Sequence, residues 1–177
     1  MKKTIILLIS LILLLTSCSS GKPKYISEVA PSQLLTLEDV TPYLDYTPEL
    51  SEELSRRGSV AKYLSNPKGQ GDPIIVKVYQ KNGLLSQEKV EAYFDECKKM
   101  RTDAFDISIE ADKAFIAYPT LHYYINGYHI EITAGSGCDD LQKVLLTNLA
   151  KRSIENFNTL TGIYKGSQAE TEENTQN

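Results

Sequence analysis

An Asn126-Gly127 pair stands between two alternating runs in the stretch LHYYINGYHIEIT, residues 121–133. A type I′ turn needs positive φ at both central residues, so this arrangement is the strongest short-range signal of a β-hairpin. The two-residue loop also fixes the register of the strands, which places His122 directly across from Glu131. Since opposed residues lie on the same side of a sheet, the pairing also predicts which side chains share a face.

The register divides this hairpin into an apolar and a polar face. The apolar face, predicted to cover a core, holds Leu121, Tyr123, Ile125, Tyr128, Ile130 and Ile132. The opposite side, named the polar hairpin face, holds His122, Tyr124, His129, Glu131 and Thr133. Water or a partner protein or ligand is the favoured neighbour of the polar hairpin face, because His and Tyr supply contact area with polar groups. The alternative is that His122, His129 and Glu131 hold a divalent metal such as zinc, or that Glu131 orients a His as a general base.

The N-terminus reads MKKTIILLISLILLLTSC, with two lysines before an apolar run that only Ser10 interrupts. The run is shorter than the ~20 residues that span a bilayer and fits the apolar core of a secretory signal peptide. With the small residues Thr16 and Ser17 before Cys18, the segment resembles the lipobox of bacterial lipoproteins. The resemblance implies cleavage before Cys18, acylation of that cysteine with diacylglycerol and a further chain such as palmitate, and a lipid-anchored extracytoplasmic protein on the cell membrane or outer membrane.

Charge and composition narrow the class of protein further. The whole chain carries a formal charge of −4, and removal of the signal peptide takes away two lysines and no acids. The mature chain is therefore acidic and lacks the basic footprint of a nucleic-acid-binding protein. We expect no nucleic-acid partner and no cofactor.

Four segments are predicted along the chain. Residues 1–17 form the signal peptide, and residues 18–33, with Gly21, Pro23 and Pro31, form the lipidated cysteine and a flexible tether. Residues 34–165 form one globular α+β domain, long enough for a single core. Residues 166–177 contain three glutamates and no bulky apolar residue, so they are expected to be a disordered tail.

The first part of the domain is predicted to be helical. A capping box in TLEDV, from Thr36 to Asp39, begins a short helix. TPELSEEL is predicted to be a helix with Thr47 as its cap and Pro48 at its first position. Gly58 is predicted to break this helix, and SVAKYLSNP to add a second helical piece that ends at Asn66-Pro67.

The rest of the domain alternates between strands and helices. IIVKVYQ is predicted to be a strand, and Asn82-Gly83 a turn. SQEKVEAYFDECKKM is predicted to be a helix, and its apolar stripe holds Val90, Tyr93, Phe94, Cys97 and Met100. AFDISIEADKAFIAY is a hairpin, and a last helix from about Ser136 carries Leu141, Val144, Leu145, Leu149 and Leu160 on its apolar side and ends at Gly162. The predicted fold is an antiparallel sheet of about five strands with helices packed on one face.

Two cysteines remain after lipidation of Cys18. In an extracytoplasmic compartment disulfides persist, so we expect a Cys97–Cys138 bridge. Two alternatives stay open: both are inert thiols, or Cys138 is a reactive thiolate near the start of a helix.

No catalytic motif is recognisable, whether a zinc-protease helix, a phosphate loop or a nucleophile elbow. The favoured function is therefore a non-enzymatic interaction module of the cell envelope. The alternatives are a small metal-binding or hydrolytic lipoprotein that uses His122, His129 and Glu131, and a structural or assembly subunit of an envelope complex.

Overall fold

A computed structural model describes residues 29–54, 58–65, 71–80 and 86–162. The predicted signal peptide, the predicted lipidation site Cys18, the Asn82-Gly83 turn and the C-terminal tail lie outside the described residues. In the described part of the chain, no helix has the length and apolar character needed to cross a membrane.

The described elements form one mixed α/β unit built on a single sheet. Its helices are α1 Pro31–Leu34, α2 Leu37–Val40, a 3-10 helix Thr41–Tyr43, α3 Gln87–Lys99 and α4 Asp140–Thr161. Its strands are β1 Pro48–Leu54, β2 Ser59–Ser65, β3 Ile74–Gln80, β4 Phe105–Asp106, β5 Lys113–Ala117, β6 Thr120–Ile125 and β7 Tyr128–Thr133. Seven strands are ordered β1-β2-β3-β7-β6-β5-β4, and all neighbours are antiparallel.

The antiparallel sheet is confirmed, but it has more strands than predicted because two segments predicted as helix are strands. The two segments predicted as helix, TPELSEEL and SVAKYLSNP, contribute β1 and β2. In β2 every second residue is buried, including Ala61 and Tyr63, which is the period of a strand. β1 is an edge strand whose side chains are mostly exposed, so buried and exposed residues do not alternate along it. Pro48 and the glutamates also have the pattern of a helix start.

Several local predictions are confirmed. Thr36 and Asp39 form the predicted capping box at the start of α2. IIVKVYQ is β3, the helix predicted in SQEKVEAYFDECKKM is α3, and β4 and β5 pair as the predicted hairpin. The Asn126-Gly127 hairpin has the predicted register throughout, because both turn residues adopt the positive φ that fixes a two-residue loop.

The larger core lies between α4 and one face of the sheet. The apolar face of the β6–β7 hairpin packs there with β2 and β3, and α1 and α2 close one end. α4 begins at Asp140 with Asp139 as its cap, rather than near Ser136, and Gly162 ends it as predicted. Its buried stripe is Leu146, Leu149, Ala150, Ile154 and Phe157. The predicted stripe is therefore partly wrong: Leu141, Val144 and Leu160 are exposed.

Helices cover both faces of the sheet, so the predicted one-sided packing is wrong. α3 lies on the face opposite α4 and buries Val90, Phe94 and Cys97 against Phe115 and neighbouring strand residues. Of the predicted α3 stripe, Tyr93 is half-buried and Met100, just beyond the helix, is exposed. The polar hairpin face therefore lies under a helix.

The folded unit begins earlier than the predicted boundary at residue 34. Val29 and Leu34 belong to the main core, and α1 packs against α4. The stretch assigned to a flexible tether thus includes residues 29–33 of the folded unit.

Candidate functional site

Five polar side chains from three strands and one helix meet between α3 and the sheet. His122 comes from β6, His129 and Glu131 from β7, Lys77 from β3 and Cys97 from α3. The strand pairings bring the first four together, because Glu131 stands between His122 on one neighbour and Lys77 on the other. We call these five residues the polar cluster.

The polar cluster is largely closed to solvent. The exposed fraction is 9 % for His122, 0 % for His129 and 5 % for Glu131. Phe115 stacks on the His122 ring with centroids 4.4 Å apart, and Phe94 of α3 meets the His129 ring edge-on at 5.1 Å. The interpretation of the polar hairpin face as a solvated surface is therefore wrong, since its imidazoles form part of a two-sided interior.

Short polar contacts link the cluster. His122 Nδ1 lies 3.2 Å from His129 Nε2, at hydrogen-bonding distance. Glu131 Oε1 is 3.7 Å from His122 Nδ1 and 3.9 Å from His129 Nε2. The other carboxylate oxygen, Oε2, forms an ion pair with Lys77 Nζ at 3.1 Å. One side of the carboxylate thus faces the imidazoles and the other is neutralised by a half-exposed lysine.

Burial keeps both imidazoles neutral near neutral pH. It lowers the pKa of His122 to about 4, with a further contribution from the positive charge of Lys77. Burial and then the neighbouring His122 hold the pKa of His129 well below its usual range. Burial also raises the pKa of the Cys97 thiol, despite a hydrogen bond from Tyr93 that acts in the opposite direction. The cluster therefore combines neutral nitrogen donors with a protonated thiol.

His129 keeps one polar atom without a partner. Its Nδ1 is buried and makes no hydrogen bond among the described residues. Leaving a buried polar atom unpaired costs about 1–3 kcal/mol, so this position is not explained by core packing alone.

The donor atoms suit metal binding better than acid–base catalysis. One ligand atom each from Cys97, His129 and Glu131 lies within 4.8 Å of the others. A general base would need to reach a substrate proton. A groove of about 590 Å³ does run between α3 and the β4–β5 hairpin, but its lining includes Phe94 and Lys98 and none of the polar cluster.

The structure brings together the three predicted metal-site residues, and Tyr124 lies directly across from His129 in the strand pairing. Tyr124 is buried near Phe94, with ring centroids 6.1 Å apart. Sequence reasoning missed Lys77 and the position of Cys97. Both had a signal: Lys77 points away from the apolar side of its strand, and Cys97 follows Phe94 by three residues on the inward stripe of its helix.

The predicted Cys97–Cys138 disulfide is wrong, and both residues are free cysteines. Cys97 is buried on α3, whereas Cys138 is exposed just before α4. These two helices pack on opposite faces of the sheet, which keeps the thiols apart.

Comparisons with protein-family models, with curated proteins and with solved structures gave no match to this chain.

Proposed function

We propose that the chain is a lipoprotein held on the extracytoplasmic side of a membrane through Cys18, where it acts by binding rather than by catalysis. The N-terminal pattern of lysines, apolar run and Thr-Ser-Cys junction supports the anchor. The observation that carries the non-enzymatic part is the burial of the polar cluster beneath α3.

Burial argues against the hydrolytic alternative in a specific way. A hydrolytic site keeps an open position for water and substrate beside its base or metal. Here Phe94 and Phe115 stand against the two imidazoles, and His129 has no exposed surface. A substrate would have to displace α3 to reach the cluster.

The length of the tether limits where a partner can lie. Ten residues, 19–28, separate Cys18 from Val29, the first described residue of the core. An extended chain spans at most about 3.3–3.6 Å per residue, so Val29, where the described unit begins, stays within about 40 Å of the lipid. The partner is therefore an envelope protein or ligand close to the membrane surface.

The contact surface cannot be the polar hairpin face, so it lies elsewhere on the folded unit. Leu141 and Val144 are one helical turn apart at the start of α4, and 78 % and 56 % of their surfaces are exposed. Exposed apolar side chains that adjoin in this way are a feature of interaction surfaces. We place the first contact with a partner here.

The anchor is tested by metabolic labelling with palmitate and by membrane fractionation. The wild-type chain is expected to carry label and to sediment with membranes, whereas Cys18→Ala is expected to lose both properties. Cys138→Ser is the matched control and should behave as the wild type. An unlabelled wild type, or a Cys18→Ala chain that is still labelled, would overturn the anchor.

The contact surface is tested by a photo-crosslinking residue placed at Val144 in cells. The same residue at Glu88, an exposed position of α3 on the opposite side of the sheet, is the control. A discrete crosslinked species from Val144 alone supports the proposal. Equal yields from both positions, or no species from either, contradict it.

A further inference from the structure

We propose that Cys97, His122, His129 and Glu131 form a closed binding site for one divalent transition metal ion of the zinc class, at the seam between α3 and the sheet. The inference goes beyond the proposed function and does not depend on the lipid anchor. It follows from the distances between the donor atoms, the chemistry of the set and the way the fold encloses it.

Three donor atoms already stand at metal-binding separations. His122 Nδ1, His129 Nε2 and Glu131 Oε1 form a triangle with sides of 3.2, 3.7 and 3.9 Å. The point equidistant from the corners of such a triangle lies about 2.1 Å from each, which matches zinc bonds to nitrogen and carboxylate oxygen of about 2.0–2.2 Å. An ion can be placed there with little movement of the strands, because a single hairpin of fixed register carries all three residues.

Cys97 supplies the fourth donor from the helix above the triangle. Its sulfur belongs to the group of Cys97, His129 and Glu131 ligand atoms that lie within 4.8 Å of one another. Tetrahedral ligands around zinc are about 3.3–3.7 Å apart, so the Cys97 sulfur must move closer to the three hairpin donors when the ion enters. A set of one thiolate, two imidazoles and one carboxylate selects zinc-like borderline ions over Mg²⁺ and Ca²⁺, which prefer oxygen ligands.

The surroundings supply the charge balance and an outer partner for the site. A thiolate and a carboxylate together neutralise the charge of a divalent ion. Lys77 holds Glu131 Oε2 at 3.1 Å, which leaves Oε1 for the ion and fixes the orientation of the carboxylate. The imidazoles are already neutral, as ligands must be, because burial lowers the pKa of both histidines.

Binding of the ion changes the position of two protons, one on the Cys97 thiol and one between the two imidazoles. The Cys97 thiol loses its proton to solvent as the metal–sulfur bond forms. The single proton between His122 Nδ1 and His129 Nε2 moves to the outer nitrogen of its own ring, so both inner nitrogens present lone pairs. Binding therefore releases one proton per ion at neutral pH.

A buried interior without an ion does not account for this cluster. His129 is wholly buried, and its Nε2 lies 3.2 Å from His122 Nδ1 and 3.9 Å from Glu131 Oε1. Apolar side chains of the same shape would avoid the cost of burying such groups. Since all four donors belong to the protein and the site is closed, the ion would hold α3 on the sheet rather than activate water.

The test is a titration of the full-length chain, reduced and purified in detergent, with Co²⁺ as a spectroscopic substitute for Zn²⁺. We expect one Co²⁺ per chain, with the visible absorption of a tetrahedral ion, a near-ultraviolet band from thiolate coordination, and displacement by Zn²⁺. Calorimetry with Zn²⁺ in two buffers of different ionisation enthalpy should give release of one proton per ion. Cys97→Ser should lose the thiolate band and bind more weakly by a factor of ten or more, whereas Cys138→Ser should match the wild type.

Glu131→Gln gives a second measurement on the sheet side of the site, and circular dichroism checks that each variant is folded. Weaker binding by a folded Glu131→Gln chain supports the site. Absence of a tetrahedral spectrum in the wild type overturns it, and so does a thiolate band that survives Cys97→Ser or disappears in Cys138→Ser.

Discussion

The buried histidines predict how the stability of the fold depends on pH. The chain contains two histidines, both in the polar cluster. In the unfolded chain they titrate near 6.5, whereas burial lowers the pKa of His122 to about 4 and that of His129 well below its usual value. Below about pH 6.5 the unfolded chain therefore binds protons that the native state does not. Above that pH the two histidines do not lower the free energy of unfolding. They lower it progressively as the pH falls from 6.5 towards 4.

The size of the effect follows from the same values. Each imidazole stays neutral in the native state and titrates near 6.5 when unfolded. At about pH 5 this lowers the free energy of unfolding by about 2 kcal/mol for one imidazole and by about 4 kcal/mol for two. The charged and titratable groups that face them are Lys77, Glu131 and Cys97, with the hydroxyls of Tyr79 and Tyr93 nearby.

The assay is urea unfolding at about pH 7.5 and pH 5 in the presence of a chelator, followed by circular dichroism. His122→Phe is the informative variant, because phenylalanine can keep the stack on Phe115 and cannot titrate. From about pH 7.5 to pH 5 we expect the free energy of unfolding to fall by about 4 kcal/mol in the wild type and by about 2 kcal/mol in the variant. An equal loss in both chains, or no loss in the wild type, would refute the burial of the imidazoles.

Three further perturbations test the packing by urea unfolding. Phe157→Ala, in the main core beneath α4, should lower the free energy of unfolding by about 3–5 kcal/mol, whereas Leu141→Ala on the exposed side of that helix should change it by less than about 0.5 kcal/mol. Gly58→Ala should cost about 1–3 kcal/mol because its Cβ would collide with the backbone carbonyl of Val78, and a neutral result would contradict that close approach. Thr36→Ala should cost about 1 kcal/mol through loss of the cap on α2, and an unchanged midpoint would speak against the capping box.

The sequence predicts those parts of the fold that depend on local rules. The Asn126-Gly127 turn determines its register through backbone conformation alone, so every pair of the hairpin is confirmed. The α3 stripe and the cap of α2 are local in the same sense. β1 was misread because an edge strand with exposed side chains carries no alternation, and its Pro48 is equally suited to the start of a helix.

The environment of the histidines depends on tertiary packing, which local rules do not contain. The residues that share a face were correctly predicted, but the helix that covers them was not. One signal was available: the run from Ala114 to Ala117 is apolar without alternation, and it is buried throughout. Such a strand indicates a sheet covered on both faces, so a helix above His122 could have been expected.

The central claim is that α3 closes the polar face of the sheet, and thiol accessibility tests it most directly. The native full-length chain is treated with an alkylating reagent without prior reduction, and each cysteine is located by peptide mass spectrometry. We expect rapid modification of the exposed Cys138 and protection of Cys97 until the chain is unfolded in urea. Equal rates at the two cysteines in the native chain would contradict the claim that α3 covers the polar face of the sheet. Two thiols that react only after reduction would show that the disulfide exists.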